Sequence, residues 1–305
     1  MAHQPELADL QRKIAIDLFL DLDDHALRSN RQQGLVCSFL DLNLSSAFQP
    51  IVRADGKIVG REALLRAVVI AKGEAISPQS AFAHAIAAQK LVAFDRLVRT
   101  IHLLNHANEF DEHELIFLNV HPQLLTSVSD HGRTFEQILH FYSVPTSRVV
   151  IEIREAAVKD DARLEEAVKN YRNLGYKIAI DNFGAGHTSR DDLFQPEPEH
   201  LKSGVRESKS WLDRVLSLQP DFVKFDESVL RKAQRSTEAV FALHRLVSLF
   251  HGIGTKVTVQ NIETNGQLEI ARSVGADLLQ GNYLGRPQMV SEARGKLCRN
   301  ERLAA

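Results

Sequence analysis

Eight short apolar runs, at residues 47–52, 58–66, 115–120, 149–153, 178–181, 222–226, 256–260 and 278–281, constrain this chain more than any other feature. Stretches of helical periodicity separate most of them. One carries Leu91, Phe94, Leu97, Val98, Ile101 and Leu104, and others cover 135–142, 163–174, 228–250 and 267–274. Gly175 and Gly275 close two of these helices, as glycine does at a left-handed cap. Strand and helix alternating over about 250 residues predict a (β/α)8 TIM-like barrel. The first two runs flank Ala54-Asp55-Gly56, a hairpin turn, so one barrel strand should run antiparallel to the rest. Leu7, Leu10, Ile14 and Leu18 fall at helical spacing, which predicts an N-terminal helical extension over 1–40 ahead of a barrel domain at 41–305. A polar insertion at about 194–212, rich in Pro and charge, leads into a short helix through Trp211, Leu212, Val215 and Leu216.

Composition narrows the partners. Lys and Arg total 37 against 39 Asp and Glu, a formal charge of −2, so there is no global pull toward nucleic acid. Two cysteines, far apart and without CxxC spacing, exclude a disulfide framework or a cysteine-rich zinc site. The acidic N-terminus lacks the basic and apolar regions of a signal peptide, and no apolar run is long enough to span a bilayer. A cytoplasmic protein is expected.

In such a barrel the C-terminal strand ends gather at one mouth. Here they are Glu62, Asn119, Glu152, Asp181 with Asn182, Lys224 with Asp226, Gln260 with Glu263, and Gln280. Carboxylates converging without partners repel, and an oxygen-only set invites a hard divalent cation, Mg²⁺, Mn²⁺ or Ca²⁺, rather than zinc. Each residue alone has a plain alternative, since strand-end Asp and Asn often cap the next helix; the argument rests on their convergence. His102 and His106 have metal-like spacing but no third ligand, so packing or surface is the better reading. Thr188-Ser189 lacks the partners of a nucleophile triad.

Ordered blocks across residues 45–288 carry a specific resemblance. They are Phe48-Gln49-Pro50-Ile51-Val52, Glu62-Ala63-Leu64-Leu65-Arg66, Leu118-Asn119-Val120-His121-Pro122 and Ile151-Glu152-Ile153-Arg154-Glu155. Asp181-Asn182-Phe183-Gly184-Ala185-Gly186, Lys224-Phe225-Asp226, Gln260-Asn261-Ile262-Glu263-Thr264, Gln280-Gly281 and Gly285-Arg286-Pro287 follow. The chain resembles the EAL family of bacterial phosphodiesterases that linearise cyclic di-GMP. The resemblance implies that Glu62, Asn119, Glu152 and Asp181 hold one Mg²⁺ or Mn²⁺. It implies nucleotide contacts at Gln49, Glu62, Leu64, Arg66, Pro122, Asp226 and Pro287. Lys224, Gln280 and Glu263 match catalytic positions, joined by Glu62 if the domain is active, and Glu155 matches the brace of the loop after Asp181.

Two departures fall on one sub-site. Asn182 and Gln260 stand where the family has Asp and Glu, both matched to a second metal, so two anionic ligands are gone. Three readings follow: a degenerate domain that binds cyclic di-GMP, a weak or Mn²⁺-dependent phosphodiesterase giving the linear dinucleotide, or a protein-interaction module that ignores nucleotide. Arg154, His187, Arg190 and the insertion also depart from the pattern, which puts the family's usual homodimer in doubt. No sensory or cyclase domain is recognised, so regulation would come through residues 1–40, the insertion or a partner.

Overall fold

The computed structural model describes residues 7–18, 20, 25–128, 132–157, 162–185 and 211–290. The chain opens with helix α1 (Leu7–Leu18), whose Leu10, Ile14, Ala15 and Leu18 are buried on one face. The expected extension is not helical throughout, for its described residues from His25 on are strands. They form an antiparallel hairpin, β1 (His25–Asn30) and β2 (Gly34–Phe39). His25 and Leu27 are buried on one side of β1, and Arg28–Asn30 run out exposed to the turn, with the strand held by its ladder to β2. β2 runs on into β3 (Leu42–Arg53), which pairs antiparallel with β4 (Ile58–Val69) from Leu42 opposite Val69 to Val52 opposite Ile58.

A short strand, β5 (Glu74–Ile76), caps the end of β4. Then come α2 (Pro78–Ala87), α3 (Leu91–Glu109), β6 (Leu115–Asn119), α4 (Pro122–Ser127) and α5 (Arg133–Phe141). β7 (Val149–Arg154), α6 (Ala162–Asn173), β8 (Lys177–Phe183), α7 (Trp211–Ser217), β9 (Phe222–Phe225), α8 (Glu227–Ala233) and α9 (Thr237–Gly252) follow. The last described elements are β10 (Lys256–Val259), α10 (Asn265–Ser273), β11 (Leu278–Leu279) and β12 (Gln288–Met289). The single helix expected over 228–250 is two, because the chain breaks before Ser236, whose Oγ accepts the Ala239 N–H and caps α9. Most of the insertion, with His187, Thr188, Ser189 and Arg190, lies outside the described residues.

The barrel closes as β3-β4-β6-β7-β8-β9-β10-β11 and back to β3. β3 is antiparallel to both neighbours, and every pairing from β4 round to β11 is parallel. Ile51, Phe117, Val150, Ala179, Phe222 and Leu278 form an apolar cluster apart from the main core. Two residues along from each, on the same strand face, lie Gln49, Asn119, Glu152, Asp181, Lys224 and Gln280. Alternation therefore stacks a polar layer on an apolar floor. The antiparallel β3 joins that layer with its order reversed, Gln49 preceding Ile51. Gly281 permits the last strand to close, since a Cβ there would stand 2.2 Å from the Ile262 backbone. Among the described residues no helix is long and apolar enough to cross a membrane.

Helix α3 lies against β2, β3, β4 and β6 and buries an unusual polar set: Asp95, Arg99, His102, Asn105 and His106. Asp95 and Arg99 pair at 2.6 Å, and the second Asp95 oxygen accepts the His121 N–H at 3.1 Å, tying down the loop after β6. His106 sits among Phe48 and Phe110, with ring centroids 5.8 and 5.2 Å away. Burial, with Arg148 and Arg61 nearby, pulls its pKa down to about 3. An unfolded histidine protonates near ~6.5, so between that pH and about 3 the unfolded chain binds a proton the folded chain does not, and stability falls as pH falls. His106→Phe should therefore reduce the stability lost between pH 7 and pH 5 by about 2 kcal/mol, read from urea midpoints at the two pH values.

Candidate functional site

Lys224 stands at the centre of the polar layer with no solvent exposure. Its Nζ donates to Glu62 Oε2 at 2.7 Å and Glu152 Oε1 at 2.5 Å, and lies 3.7 Å from Asp181 Oδ1. Amides complete the arrangement. Asn119 Nδ2 donates to Glu62 Oε1 at 3.2 Å, and Gln280 Nε2 donates to Glu62 Oε2 at 2.8 Å and Gln49 Oε1 at 3.2 Å. Gln49 in turn donates to the Gly285 carbonyl at 3.2 Å. Gln260 Nε2 donates to Asp181 Oδ1 at 3.0 Å. Each partner comes from a different strand end, so the layer exists only once the barrel is closed.

Three carboxylates share one ammonium here, and their protons divide accordingly. Burial alone would push Glu62 up, but the Lys224 charge and hydrogen bonds from Lys224, Gln280 and Asn119 hold it below the usual carboxylate range. Glu152 goes the other way: burial and the Glu62 charge raise it well above that range, more than Lys224 offsets. Burial raises Asp181, against the opposing charge of Lys224. Burial disfavours the Lys224 ammonium, yet Glu152, Glu62 and Asp181 together outweigh it and the pKa rises. The cluster is a buried cation inside excess negative charge.

Above this layer opens a cavity of about 560 Å³. Its walls include Gln49, Glu62, Leu64, Asn119, Pro122, Asp181, Asn182, Gln260 and Gln280 from the sequence-derived set. Lys224 and Glu152 lie beneath the floor formed by their partners; Arg66, Asp226, Glu263 and Pro287 are not among the cavity walls. Arg66 is half-buried on β4, with Nη1 donating to the Leu65 carbonyl at 3.1 Å. Asp226 caps α8, accepting the Ser228 N–H at 2.9 Å. Glu155, in a 3₁₀ turn after β7, accepts the Gly184 N–H at 2.6 Å and so fixes the chain after Asp181. Asn182 and Asn261 both adopt φ 57°, a left-handed turn that Asn tolerates, and both face the cavity.

Helix α2 supplies walls that strand-end reasoning missed: Pro78, Gln79, Phe82, Ala83 and Ile86. Phe82 stacks on His121 with centroids 5.3 Å apart, making an apolar panel opposite the carboxylates. His102 and Arg154 also line the cavity. The Ser77 N-cap followed by Pro78 was a readable start signal for α2.

Among the described residues, no three carboxylate, imidazole or thiol groups close on one point as an ion's ligands, because Lys224 holds that centre. Yet Glu152 Oε2, Gln260 Oε1 and Gln280 Oε1 are buried acceptors without a hydrogen-bond partner. A buried oxygen with no donor is costly, and a hard cation would satisfy it. By its chemistry the oxygen-donor set of Glu62, Asn119, Glu152 and Asp181 would suit a hard divalent ion, with the Asn119 amide turned to offer its oxygen. Gln260 turns its amide nitrogen to Asp181 and so offers that carboxylate a neutral donor instead of a further anionic ligand.

A model of the EAL domain matches residues 38–207 and 203–287. The uncharacterized EAL-domain containing protein YkuI of Bacillus subtilis (strain 168) is 31% identical over 245 residues, which are 79% of this chain and 54% of YkuI. The cyclic di-GMP phosphodiesterase RocR of Pseudomonas aeruginosa is 24% identical over 170 residues, 55% of this chain and 38% of RocR. The chain therefore spans about half the length of YkuI and less of RocR. The crystal structure of YkuI in complex with cyclic di-GMP and calcium matches with a TM-score of 0.61 at 25% identity, covering 98% of this chain and 63% of that one. A standalone EAL protein from Vibrio cholerae O395, in its cyclic di-GMP-bound form, shares the fold at TM-score 0.65 and 22% identity, covering 82% and 94% of the two chains.

Removing the central ammonium leaves Glu62, Glu152 and Asp181 with no counter-charge. Lys224→Met should destabilise the protein by about 3–5 kcal/mol in EDTA, and millimolar Mg²⁺ or Mn²⁺ should restore more stability to the variant than it adds to the wild type. Urea denaturation with and without metal measures both.

Proposed function

The chain belongs to the EAL domain family, and from that premise we propose that it is a cyclic di-GMP receptor that keeps the nucleotide cavity and one cation site but turns its ligand over slowly or not at all. One observation carries the reading. The Gln260 amide donates to Asp181 at 3.0 Å, where a glutamate would repel Asp181 unless a second cation lay between them. Asn182, the neighbouring departure, likewise presents a neutral amide to the cavity. Two changes on different strands thus convert one sub-site from anionic to neutral while leaving its shape.

The remaining residues support binding. Gln49 and Gln280 are locked to each other and to Glu62, so the cavity floor is pre-organised before any ligand arrives. Lys224 keeps the floor from being fully anionic, which lowers the repulsion a phosphate would meet. Glu155 holds the Gly184 turn, and with it the rim after Asp181. A divalent cation bound by Glu62, Asn119, Glu152 and Asp181 would polarise a phosphate oxygen. With no second ion to generate the nucleophile, turnover should fall by roughly 10³-fold or more relative to a two-metal site. The complex of YkuI with cyclic di-GMP and calcium supports this assignment by likeness.

The retention of Glu62, Asn119, Glu152 and Asp181 around Lys224 favours a second reading, a slow phosphodiesterase dependent on Mg²⁺ or Mn²⁺. Residues 1–40 and the insertion at 194–212 are the candidate surfaces for a protein partner. Calorimetric titration with cyclic di-GMP and Mg²⁺ or Mn²⁺, followed by chromatography of the incubated sample, tests these readings together. Binding with the nucleotide recovered intact is expected, and Asn182→Asp combined with Gln260→Glu should then raise cleavage at least tenfold, roughly the ~1.4 kcal/mol of one recovered charge contact. Linear product at a useful rate from the wild type would replace the receptor reading with the enzyme one. No binding would leave protein interaction.

A further inference from the structure

A chain of buried hydrogen bonds runs from the N-terminal hairpin to the cavity wall and ends on an imidazole. Asn105 on α3 accepts the Leu35 N–H through Oδ1 at 2.7 Å and donates through Nδ2 to the Leu35 carbonyl at 2.9 Å. Both backbone groups of one β2 residue thereby fix which way the amide points. The second Nδ2 proton goes to Ser46 Oγ at 3.1 Å. Ser46 is fully buried, and its Oγ lies 2.7 Å from His102 Nδ1. Having accepted from Asn105, the hydroxyl donates its own proton to Nδ1. The opposite assignment would strand the hydroxyl proton, for Ser46 Oγ has no other acceptor among the described residues.

Nδ1 is therefore an acceptor, and the ring proton sits on Nε2. Burial, together with the Arg66 charge, holds the His102 pKa down to about 3, so the ring is neutral and a single tautomer persists. Nε2 has no partner among the described residues and belongs to a residue that lines the cavity. Gly34 is fitted to this arrangement: it turns at φ 68°, and a Cβ there would stand 2.6 Å from Asn105 Oδ1.

We propose that His102 is a nucleotide-binding residue whose Nε2–H donates to a phosphate oxygen of the bound ligand, and that Ser46 and Asn105 are positioning residues that fix its tautomer from the hairpin. A phosphate is the acceptor that suits this place, because it is anionic and Arg66 lies opposite Ser45 in the β3–β4 ladder, beside the Ser46 that holds the ring. A neutral donor adds a hydrogen bond there without adding a second positive charge beside Arg66. The ligand half of the proposal rests on the receptor reading above; the tautomer half does not.

The test uses the full chain labelled with ¹⁵N and long-range ¹H–¹⁵N spectra of the histidine rings, with His102 assigned by difference from His102→Gln. In the free protein at pH 7, His102 should show the Nε2–H tautomer alone, and Ser46→Ala should mix the two. An Nδ1–H ring, or a ring unaffected by Ser46→Ala, overturns the relay. On adding cyclic di-GMP with Mg²⁺ the Hε2 proton should move downfield. His102→Gln, which keeps a donor near the Nε2 position, should bind within about threefold of wild type, and His102→Leu about tenfold more weakly, the worth of one hydrogen bond. Equal affinity of the Leu variant, or an unmoved Hε2 in a saturated complex, overturns the contact. A wild-type protein that binds no cyclic di-GMP overturns the receptor reading and the contact with it, while the free-state spectrum still decides the relay.

Discussion

The ammonium of Lys224 inside three carboxylates is the interaction on which the rest depends. It joins β4, β7, β8 and β9 at one point, through Glu62, Glu152, Asp181 and its own strand. Burying those charges is expensive, and only the closed barrel brings the compensating partners within reach. The cluster therefore couples closure of the sheet to assembly of the site. It also leaves that site short of positive charge, with orphaned oxygens along its floor, which is the condition for recruiting a cation.

Period-two alternation does the remaining placement. Phe117 beneath Asn119, Val150 beneath Glu152, Ala179 beneath Asp181 and Phe222 beneath Lys224 repeat one device on adjacent strands. The apolar residue seals the lumen, and the next inward residue carries the chemistry. Amides at Asn119, Gln260 and Gln280 each add a donor to one carboxylate, Glu62 or Asp181, beside the shared Lys224.

The barrel was legible because its strands are short apolar runs with a polar residue at each end, a pattern that needs no tertiary information. The strand-end residues followed from the same pattern. What escaped was set by packing between distant segments. The hairpin of β1 and β2 escaped because the polar run from Arg28 to Gly34 reads as coil until β3 is there to pair with β2. Helix α2, one wall of the cavity, escaped because its Ala-rich run lacks a helical apolar stripe. His102 and His106 share the spacing of a metal pair, yet one bonds Ser46 and the other stacks among phenylalanines. Spacing alone cannot separate two buried neighbours on a helix that turns each toward a different layer.

The antiparallel sense of β3 has a mechanical corollary. Every other barrel strand reaches the cavity at its C-terminal end. β3 arrives there from the opposite direction, with β2 bonded along its first residues and β12 along Ala47 and Phe48. Segments from the two ends of the described chain thus grip the same strand within a few residues of Gln49. Any force applied through either segment would therefore act on the one strand that carries Gln49 to the cavity wall.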